Sequence, residues 1–411
     1  MPIFCEPLSP SRRAVLGSAG ALFASAFIPG YAVAAAQGRD ARFVVIVLRG
    51  ALDGLAAVAP LGDPDYAGLH GDLSLSLTGT NPALALDGFF ALHPAMPNVA
   101  RLFKAGQASI VHAVATNYRA RSHFDGQDVL ESGQAAPGKT QSGWLNRFIA
   151  ALPKGDRIAP VGALGVGAIP PLVVRGPAPV LGWAPPTIQP ATEDLATRVL
   201  AMYGQQDKFL AAALSSGVTT DAMARAQGMG TPGAARGAAD PLGMRQAAEG
   251  AARLIATPDG PRIAALAFEG WDTHANEGGA TGQLATRLGG LDQSIAAFEK
   301  ILGPAWKDTT VMVVTEFGRT AKINGTLGTD HGEGTVAFLA GGAVKGGRVI
   351  ANWPGLSEKA LYEGRDLMPT TDLRAVTKGV LADLFGVSAE TLGNDIFPGT
   401  LDLRPTKDLI A

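Results

Sequence analysis

Short apolar runs rich in β-branched residues recur along this chain and narrow its possible folds. The first, at 42–48, reads Arg-Phe-Val-Val-Ile-Val-Leu, and similar runs cover 109–114, 262–268, 310–315 and 336–339. Uninterrupted apolar runs of this length are typical of strands that are buried on both faces. The sequence therefore predicts a sheet covered on both sides.

Helical patterns lie between these runs. The segment 283–302 carries an apolar stripe at helical spacing, and Asp372 and Gly386 are placed to cap a helix over 373–385. Further helices are predicted over 94–104, 142–152, 193–227 and 245–255. Strands alternating with helices predict an α/β fold, with a doubly wound, mostly parallel sheet and helices on both faces.

The N-terminus has the pattern of an export leader. Arg12 and Arg13 precede an apolar run over 14–28, and small residues suited to cleavage follow at 32–36. The run is shorter than the roughly 20 residues of a membrane-spanning helix. The paired arginines resemble a twin-arginine signal, although a buried N-terminal helix with a chance arginine pair is the alternative. We expect a signal peptide over 1–36, the twin-arginine translocation machinery as a partner, and a folded protein that is periplasmic or secreted.

Composition limits what the remaining chain can be. The chain has 411 residues, and Cys5, in the leader, is the sole cysteine, so no disulfide or thiol nucleophile is expected after cleavage. The formal net charge is −2 and no basic block is present, which argues against nucleic acid as a partner. No later run is long enough for a transmembrane anchor. We expect a single domain over 37–411 with a flexible Gly/Ala-rich loop near 228–243.

Polar residues gather where the predicted strands end. In a parallel sheet these ends meet at one edge, where ligands bind. The residues that follow four of the strands are Arg49 and Asp53; Ser122 and His123; Asp272 and His274; and Glu316, Arg319, Asp330 and His331. Carboxylates and imidazoles together suit a divalent metal, zinc or manganese. Such a site suits hydrolysis of a phosphate or sulfate ester, with an arginine (49, 119, 121 or 319) neutralising the anion.

Each group also has a structural interpretation. Asp53-Gly54 and Asp330-His331 are sequences that form turns, and Ser122 is placed to cap the following helix. Arg319 could simply pair with Glu316. We interpret His70 and His112 as structural residues.

Several segments together resemble a known family. They are 49–55, 93–106, 121–124, 142–145, 271–274, 315–320 and 329–332. On these the chain resembles the domain of unknown function 1501 family of the alkaline phosphatase-like superfamily, along nearly its whole length after the leader. The resemblance implies a doubly wound sheet and one or two divalent metals beside a nucleophile.

The resemblance carries over to individual residues in part. Asp53 is the acid nearest the position of the superfamily's first-strand aspartate, and Asp272, His274 and His331 correspond to metal-binding positions. Where the superfamily has Asp-His-Gly, this chain has Glu316-Phe317-Gly318. The nucleophile remains open among Ser122, Thr116 and Ser142.

Two functions from different classes follow. The first is an exported, metal-binding hydrolase acting on a small anionic ester. The alternative is a non-catalytic binding or assembly protein that keeps the fold without the nucleophile. An exported redox enzyme would fit the leader, but no cysteine or dinucleotide-binding glycine motif supports it.

Overall fold

A computed structural model describes residues 39–152, 162–186, 193–229 and 237–411 of the protein. The predicted leader, 1–36, lies outside these residues. The strands are β1 Arg42–Arg49, β2 Val58–Ala59, β3 Leu84–Ala85, β4 Ala91–Leu92, β5 Ala108–Ala115, β6 Ala163–Val166, β7 Val180–Trp183, β8 Ile263–Glu269, β9 Thr309–Thr315, β10 Thr335–Ala340, β11 Arg348–Ile350 and β12 Thr371–Asp372.

The central sheet has nine strands within the described ranges, in the order β11-β5-β10-β9-β1-β8-β6-β7, with β12 also paired to β5. Strand β1 lies at its centre, parallel to β8 on one side and β9 on the other. Strand β10 is antiparallel to both β5 and β9, so these two run in the same direction. Strands β2, β4 and β3 form a small antiparallel sheet. The predicted mostly parallel sheet is confirmed.

Helices cover both faces of the central sheet. They are α1 Gly54–Ala57, α2 Tyr66–His70, α3 Pro97–Lys104, α4 His123–Ser132, α5 Trp144–Ala151, α6 Glu193–Gln206, α7 Lys208–Ala226, α8 Pro241–Ala256, α9 Gln283–Leu302, α10 Leu373–Phe385 and α11 Ala389–Thr391. Alternate residues of β1 point to opposite faces: Ile46 packs with α3, α8 and α9, whereas Val45 packs with α5 and α10. This two-sided burial explains why β1 is apolar without interruption.

Two predicted boundaries need correction. The helix predicted from residue 94 begins at Pro97, because a proline fits the first turn of a helix. Residues 241–243, which were included in the loop predicted near 228–243, belong to α8, since that helix begins at Pro241. Asp240 caps that helix by accepting hydrogen bonds from Leu242 and Gly243 nitrogens. Residues 230–236 of this loop lie outside the described ranges. Among the described helices, none combines the length and hydropathy needed to cross a membrane.

Candidate metal centre

The sheet brings distant segments to one edge. Strands β1, β5, β8 and β9 run in the same direction, so their carboxyl ends lie together. Strand β10 runs the opposite way, and the loop that leads into it therefore starts from the same edge. His123 opens α4 after β5, Asp272 and His274 follow β8, and His331 precedes β10.

Three imidazoles converge on the Asp272 carboxylate. His123 Nε2 lies 3.3 Å from Asp272 Oδ2, and His331 Nε2 lies 3.3 Å from Asp272 Oδ1. His274 Nε2 is 3.0 Å from that same Oδ1 and 3.0 Å from His331 Nε2. The candidate ligand atoms of His123, Asp272 and His331 all lie within 4.8 Å of one another. The structure thus assembles one nitrogen- and oxygen-lined cluster from residues far apart in sequence.

The hydrogen-bond partners of the imidazoles decide which ring nitrogen is free. Each Nδ1 faces an acceptor: Glu316 Oε1 at 2.9 Å for His123, Asp330 Oδ1 at 3.2 Å for His274, and the Arg121 carbonyl at 3.0 Å for His331. An Nδ1 that faces an acceptor carries the proton, which leaves the Nε2 lone pair of a neutral ring available. Histidines that bind metals are held in this way.

The spacing of these atoms suits a small cation. Zinc binds nitrogen and oxygen at about 2.0–2.2 Å, which puts neighbouring ligands of a tetrahedral site about 3.3–3.6 Å apart. The Nε2–Oδ separations to Asp272, at 3.0–3.3 Å, are close to that range. Without a cation, Nε2 lone pairs and a carboxylate would face one another unfavourably unless a ring is protonated. The residues therefore fit a divalent metal.

Burial and neighbouring charges shift the pKa values of the cluster residues. The side chains of His123, His331 and Asp272 are 22, 25 and 38 % exposed, so one side of the cluster faces solvent. The hydrogen bond to Glu316 raises the pKa of His123, whereas burial and the nearby charges of His123 and Arg319 lower the pKa of His331. Burial alone would raise the pKa of Asp272, but Arg319 and the imidazoles outweigh it and lower that pKa. An ionised carboxylate beside a neutral imidazole is the combination that a cation requires.

Glu316 supports the cluster from behind. It is fully buried, and Oε1 accepts hydrogen bonds from the Gly50 nitrogen at 2.8 Å, from Gln127 Nε2 at 3.1 Å and from His123 Nδ1. The sequence predicted Glu316 as a metal ligand. The structure instead makes it the residue that orients His123.

Arg319 also differs from its predicted role. Its side chain is fully buried, and Nη1 donates a 2.5 Å hydrogen bond to Asp272 Oδ1. It does not pair with Glu316, the alternative that the sequence suggested. The Arg319 guanidinium therefore orients Asp272, and it does not face solvent, where it could bind the anion of a substrate as the sequence predicted.

Arg49 and Asp53 lie outside the cluster. Arg49 Nη2 donates a 2.7 Å hydrogen bond to Glu131 on α4, which uses the guanidinium that was predicted to bind an anion. Asp53 is 1 % exposed and caps α1, accepting a hydrogen bond from the Ala56 nitrogen. Its other oxygen lies 3.7 Å from His70 Nε2. The prediction of Asp53 as a ligand beside Asp272 is corrected, because capping turns its carboxylate toward His70.

Sequence reasoning missed two residues that hold the cluster, Gln127 and Phe317, and the role of a third, Arg121, which it had named only as a candidate to bind an anion. Gln127, which bonds Glu316, lies four residues after His123, a spacing that places both on one helix face and could have revealed it. Phe317 is 1 % exposed and stacks on the His123 ring at 5.1 Å. Arg121 contributes only its backbone carbonyl, and no side-chain pattern in a sequence signals that.

Ser122 occupies the N-cap position of α4, but its side chain makes no capping hydrogen bond. The hydroxyl therefore lies immediately before His123 without the structural role that the sequence offered as its alternative. Thr116, another candidate hydroxyl, is 4 % exposed and lies 3.3 Å from the Glu316 carbonyl. Ser142 lies 3.2 Å from Arg147 Nη1.

Fold and site together define an α/β protein with a candidate metal centre at the carboxyl edge of its sheet. The chain belongs to the family described as protein of unknown function (DUF1501), which matches residues 40–394. Curated proteins give no significant match.

Solved structures with distant similarity include those of two proteins. One is Ps i-CgsB, also solved in complex with k-i-k-neocarrahexaose, with 11 % identity and a TM-score of 0.42 over 89 % of this chain and 77 % of that one. The other is the phosphonate monoester hydrolase of Agrobacterium radiobacter, with 12 % identity and a TM-score of 0.30 over 84 % of this chain and 74 % of that one. At this similarity neither transfers an activity to this chain.

Proposed function

We propose that this protein is an exported, divalent-metal-dependent hydrolase that acts on a phosphate or sulfate ester. The observation that carries the proposal is the convergence of three imidazole Nε2 atoms on Asp272, each ring held through Nδ1 by an acceptor. Histidines that bind a metal through one ring nitrogen ordinarily donate the other N–H to an acceptor in this way.

His123, Asp272 and His331 would hold the metal, with His274 beside them. Two or three nitrogens and a carboxylate suit zinc or, with added oxygen ligands, manganese. If each supplies one ligand atom, three of these residues leave the fourth position of a tetrahedral site open. A catalytic zinc site has such an open position for water or substrate. When bound, the cation would supply charge to stabilise the developing negative charge on the ester oxygens.

The chain's own residues would prepare the reaction. Glu316, Asp330 and the Arg121 carbonyl keep the three rings in one tautomer and orientation. Ser122 is the proposed nucleophile, because it immediately precedes His123 in the sequence and its side chain makes no capping hydrogen bond. The ester class rests on the resemblance to the alkaline phosphatase-like superfamily, whose enzymes pair metals with a nucleophile at a strand end.

A second candidate function is a non-catalytic binding or assembly protein. One observation favours it. Three polar residues that the sequence predicted to act in catalysis or metal binding instead make hydrogen bonds within the protein: Arg49, Arg319 and Asp53. That leaves Ser122 as the remaining candidate from the predicted catalytic set for attack on an ester.

The experiment measures metal content and ester hydrolysis on protein purified from the periplasm. We expect close to one zinc or manganese per chain, hydrolysis of an aryl phosphate or an aryl sulfate, and loss of both after chelation with recovery on adding metal back. His331→Gln should lose the metal. His93→Gln is the matched control, because His93 is equally a histidine but bonds the Gly279 carbonyl away from the cluster.

The outcomes separate the candidates. Metal binding without hydrolysis of either ester would favour the binding protein. Equal metal content in His331→Gln and the wild type would refute the metal centre itself.

A further inference from the structure

Glu277 is a buried carboxylate with no place in the proposed chemistry. It follows β8 and is fully buried. Oε2 accepts a 2.9 Å hydrogen bond from the Thr329 hydroxyl. Burying a carboxyl group is costly unless it is hydrogen-bonded. The hydrogen bond of Glu277 leads to a charged partner.

That partner is reached through Thr329. Arg319 Nε donates to the Thr329 hydroxyl oxygen at 3.2 Å, and Arg319 Nη2 donates to the Thr329 carbonyl. Arg319 Nη1 then donates to Asp272 Oδ1. The residues Glu277, Thr329, Arg319 and Asp272 thus form one hydrogen-bonded series, the Glu277 series, that runs from the interior to the metal centre.

The geometry of the series fixes Asp272. A guanidinium is planar, so two bonds to Thr329 set the direction of the remaining donor. Held by that donor through Oδ1, Asp272 keeps Oδ2 directed at His123 Nε2, 3.3 Å away. Any rotation of Arg319 would therefore move a ligand of the centre.

Burial explains why the series depends on hydrogen bonds. Arg319 is fully buried, and Asp272 is shared with three imidazoles. Burial and the neighbouring Asp53 carboxylate raise the pKa of Glu277 well above its ordinary value, and the Thr329 hydrogen bond and the Arg319 charge oppose that rise. Glu277 therefore holds Thr329 as a hydrogen-bond acceptor, and its role in the series needs no negative charge.

We propose that Glu277 is a positioning residue for the metal centre: acting through Thr329, it holds Arg319 and thereby Asp272 in the geometry that binds the cation. This inference rests on the metal centre of the proposed function. It assigns Glu277 no contact with the metal or substrate.

The test is a calorimetric zinc titration of chelator-stripped full protein. Glu277→Met keeps the approximate size of the side chain but removes the acceptor for the Thr329 hydroxyl. We expect its Kd for zinc to rise about 10- to 100-fold, the usual effect of losing a residue that supports a ligand. The thermal midpoint of the metal-free protein should not fall correspondingly, because the variant also removes a carboxyl group whose burial is costly. Glu277→Gln keeps the acceptor and should bind zinc like the wild type.

Asp292→Asn is the matched control. Asp292 is 2 % exposed and accepts hydrogen bonds from the Asn98 and Val99 nitrogens at the start of α3. This variant should lower the thermal midpoint and leave the zinc Kd unchanged, which a general effect of altering buried acids would not produce.

Two variants of Thr329 test the series independently, including if Glu277→Met fails to fold. Thr329→Ser keeps the hydroxyl and should bind zinc like the wild type, whereas Thr329→Val should weaken binding as Glu277→Met does. Wild-type zinc affinity in both Glu277→Met and Thr329→Val would overturn the inference and leave the metal centre standing. Failure of the wild type to bind zinc or manganese would overturn the centre and the inference together.

Discussion

The hydroxyl of Ser122 lies at the start of α4, one residue before His123. At an N-cap a serine oxygen ordinarily accepts a hydrogen bond from the first turn, and losing that bond costs about 1 kcal/mol. Ser122 makes no such bond. Its contribution to stability and its contribution to chemistry can therefore be separated by one substitution.

Ser122→Ala should abolish ester hydrolysis and leave the fold intact. If Ser122 is the nucleophile, the rate should fall by roughly three powers of ten or more, while the thermal midpoint and zinc content stay unchanged. The measurement is steady-state hydrolysis of an aryl phosphate or sulfate beside a thermal melt. Ser388→Ala is the control: that serine caps α11 by accepting a hydrogen bond from the Thr391 nitrogen, so the variant should lower the thermal midpoint slightly and keep the activity. Full activity in Ser122→Ala would show that Ser122 is not the nucleophile.

At the scale of elements, two loop segments meet beside the centre without forming a regular strand pair. Gly332 N donates to the Gly318 carbonyl at 2.8 Å, and Thr320 N donates to the Asp330 carbonyl at 2.9 Å. Between these two hydrogen bonds, Arg319 and His331 form an isolated antiparallel β-bridge. The close approach depends on Gly332, because a Cβ there would lie 2.4 Å from the Arg319 carbonyl carbon and oxygen.

Gly332→Ala should weaken metal binding by pushing these segments apart. Displacing His331 and Arg319 by a fraction of an ångström misplaces ligands that a metal holds tightly, so we expect the zinc Kd to rise at least about tenfold. Gly325→Ala is the control, because a Cβ at Gly325 meets no atom within 4 Å in the same loop. Calorimetric titration of both variants gives the comparison. Equal zinc affinity in the two would show that the close approach does not set the centre.

At the scale of the whole molecule, the sheet order brings His123 within hydrogen-bonding distance of Glu316, 193 residues away in sequence. Strands β9 and β10 complete the edge that β1, β5 and β8 begin. A centre assembled from so many segments exists only once the entire sheet has formed. The twin-arginine route that we propose from the leader sequence carries proteins that are already folded, and it would meet that requirement.

Replacing both Arg12 and Arg13 by lysine should leave the precursor in the cytoplasm, because the proposed signal depends on the arginine pair. The measurement is fractionation of cells followed by detection of precursor and mature forms. Arg225→Lys with Arg245→Lys is the control: the same chemical change at two exposed helix positions should not alter export. Normal export of the leader variant would remove the twin-arginine proposal.

The sequence by itself determined the central elements of this protein. Continuous apolar runs identified β1, β5, β8, β9 and β10, and Asp372 and Gly386 marked the ends of α10. These are local properties, because burial on both faces and capping depend on neighbouring residues. The strand-end rule also brought His123, Asp272, His274 and His331 to one edge.

Only the tertiary structure decided what each polar residue does there. Asp53 and Asp272 both follow strands, yet one caps a helix and faces His70 while the other receives three imidazoles. Arg319 bonds Asp272 and not Glu316, three residues away. The free nitrogen of His331 is set by the carbonyl of Arg121, 210 residues away in sequence. These roles depend on which segments the strand order of the sheet places next to each other. The spacing of residues along the sequence does not reveal that order.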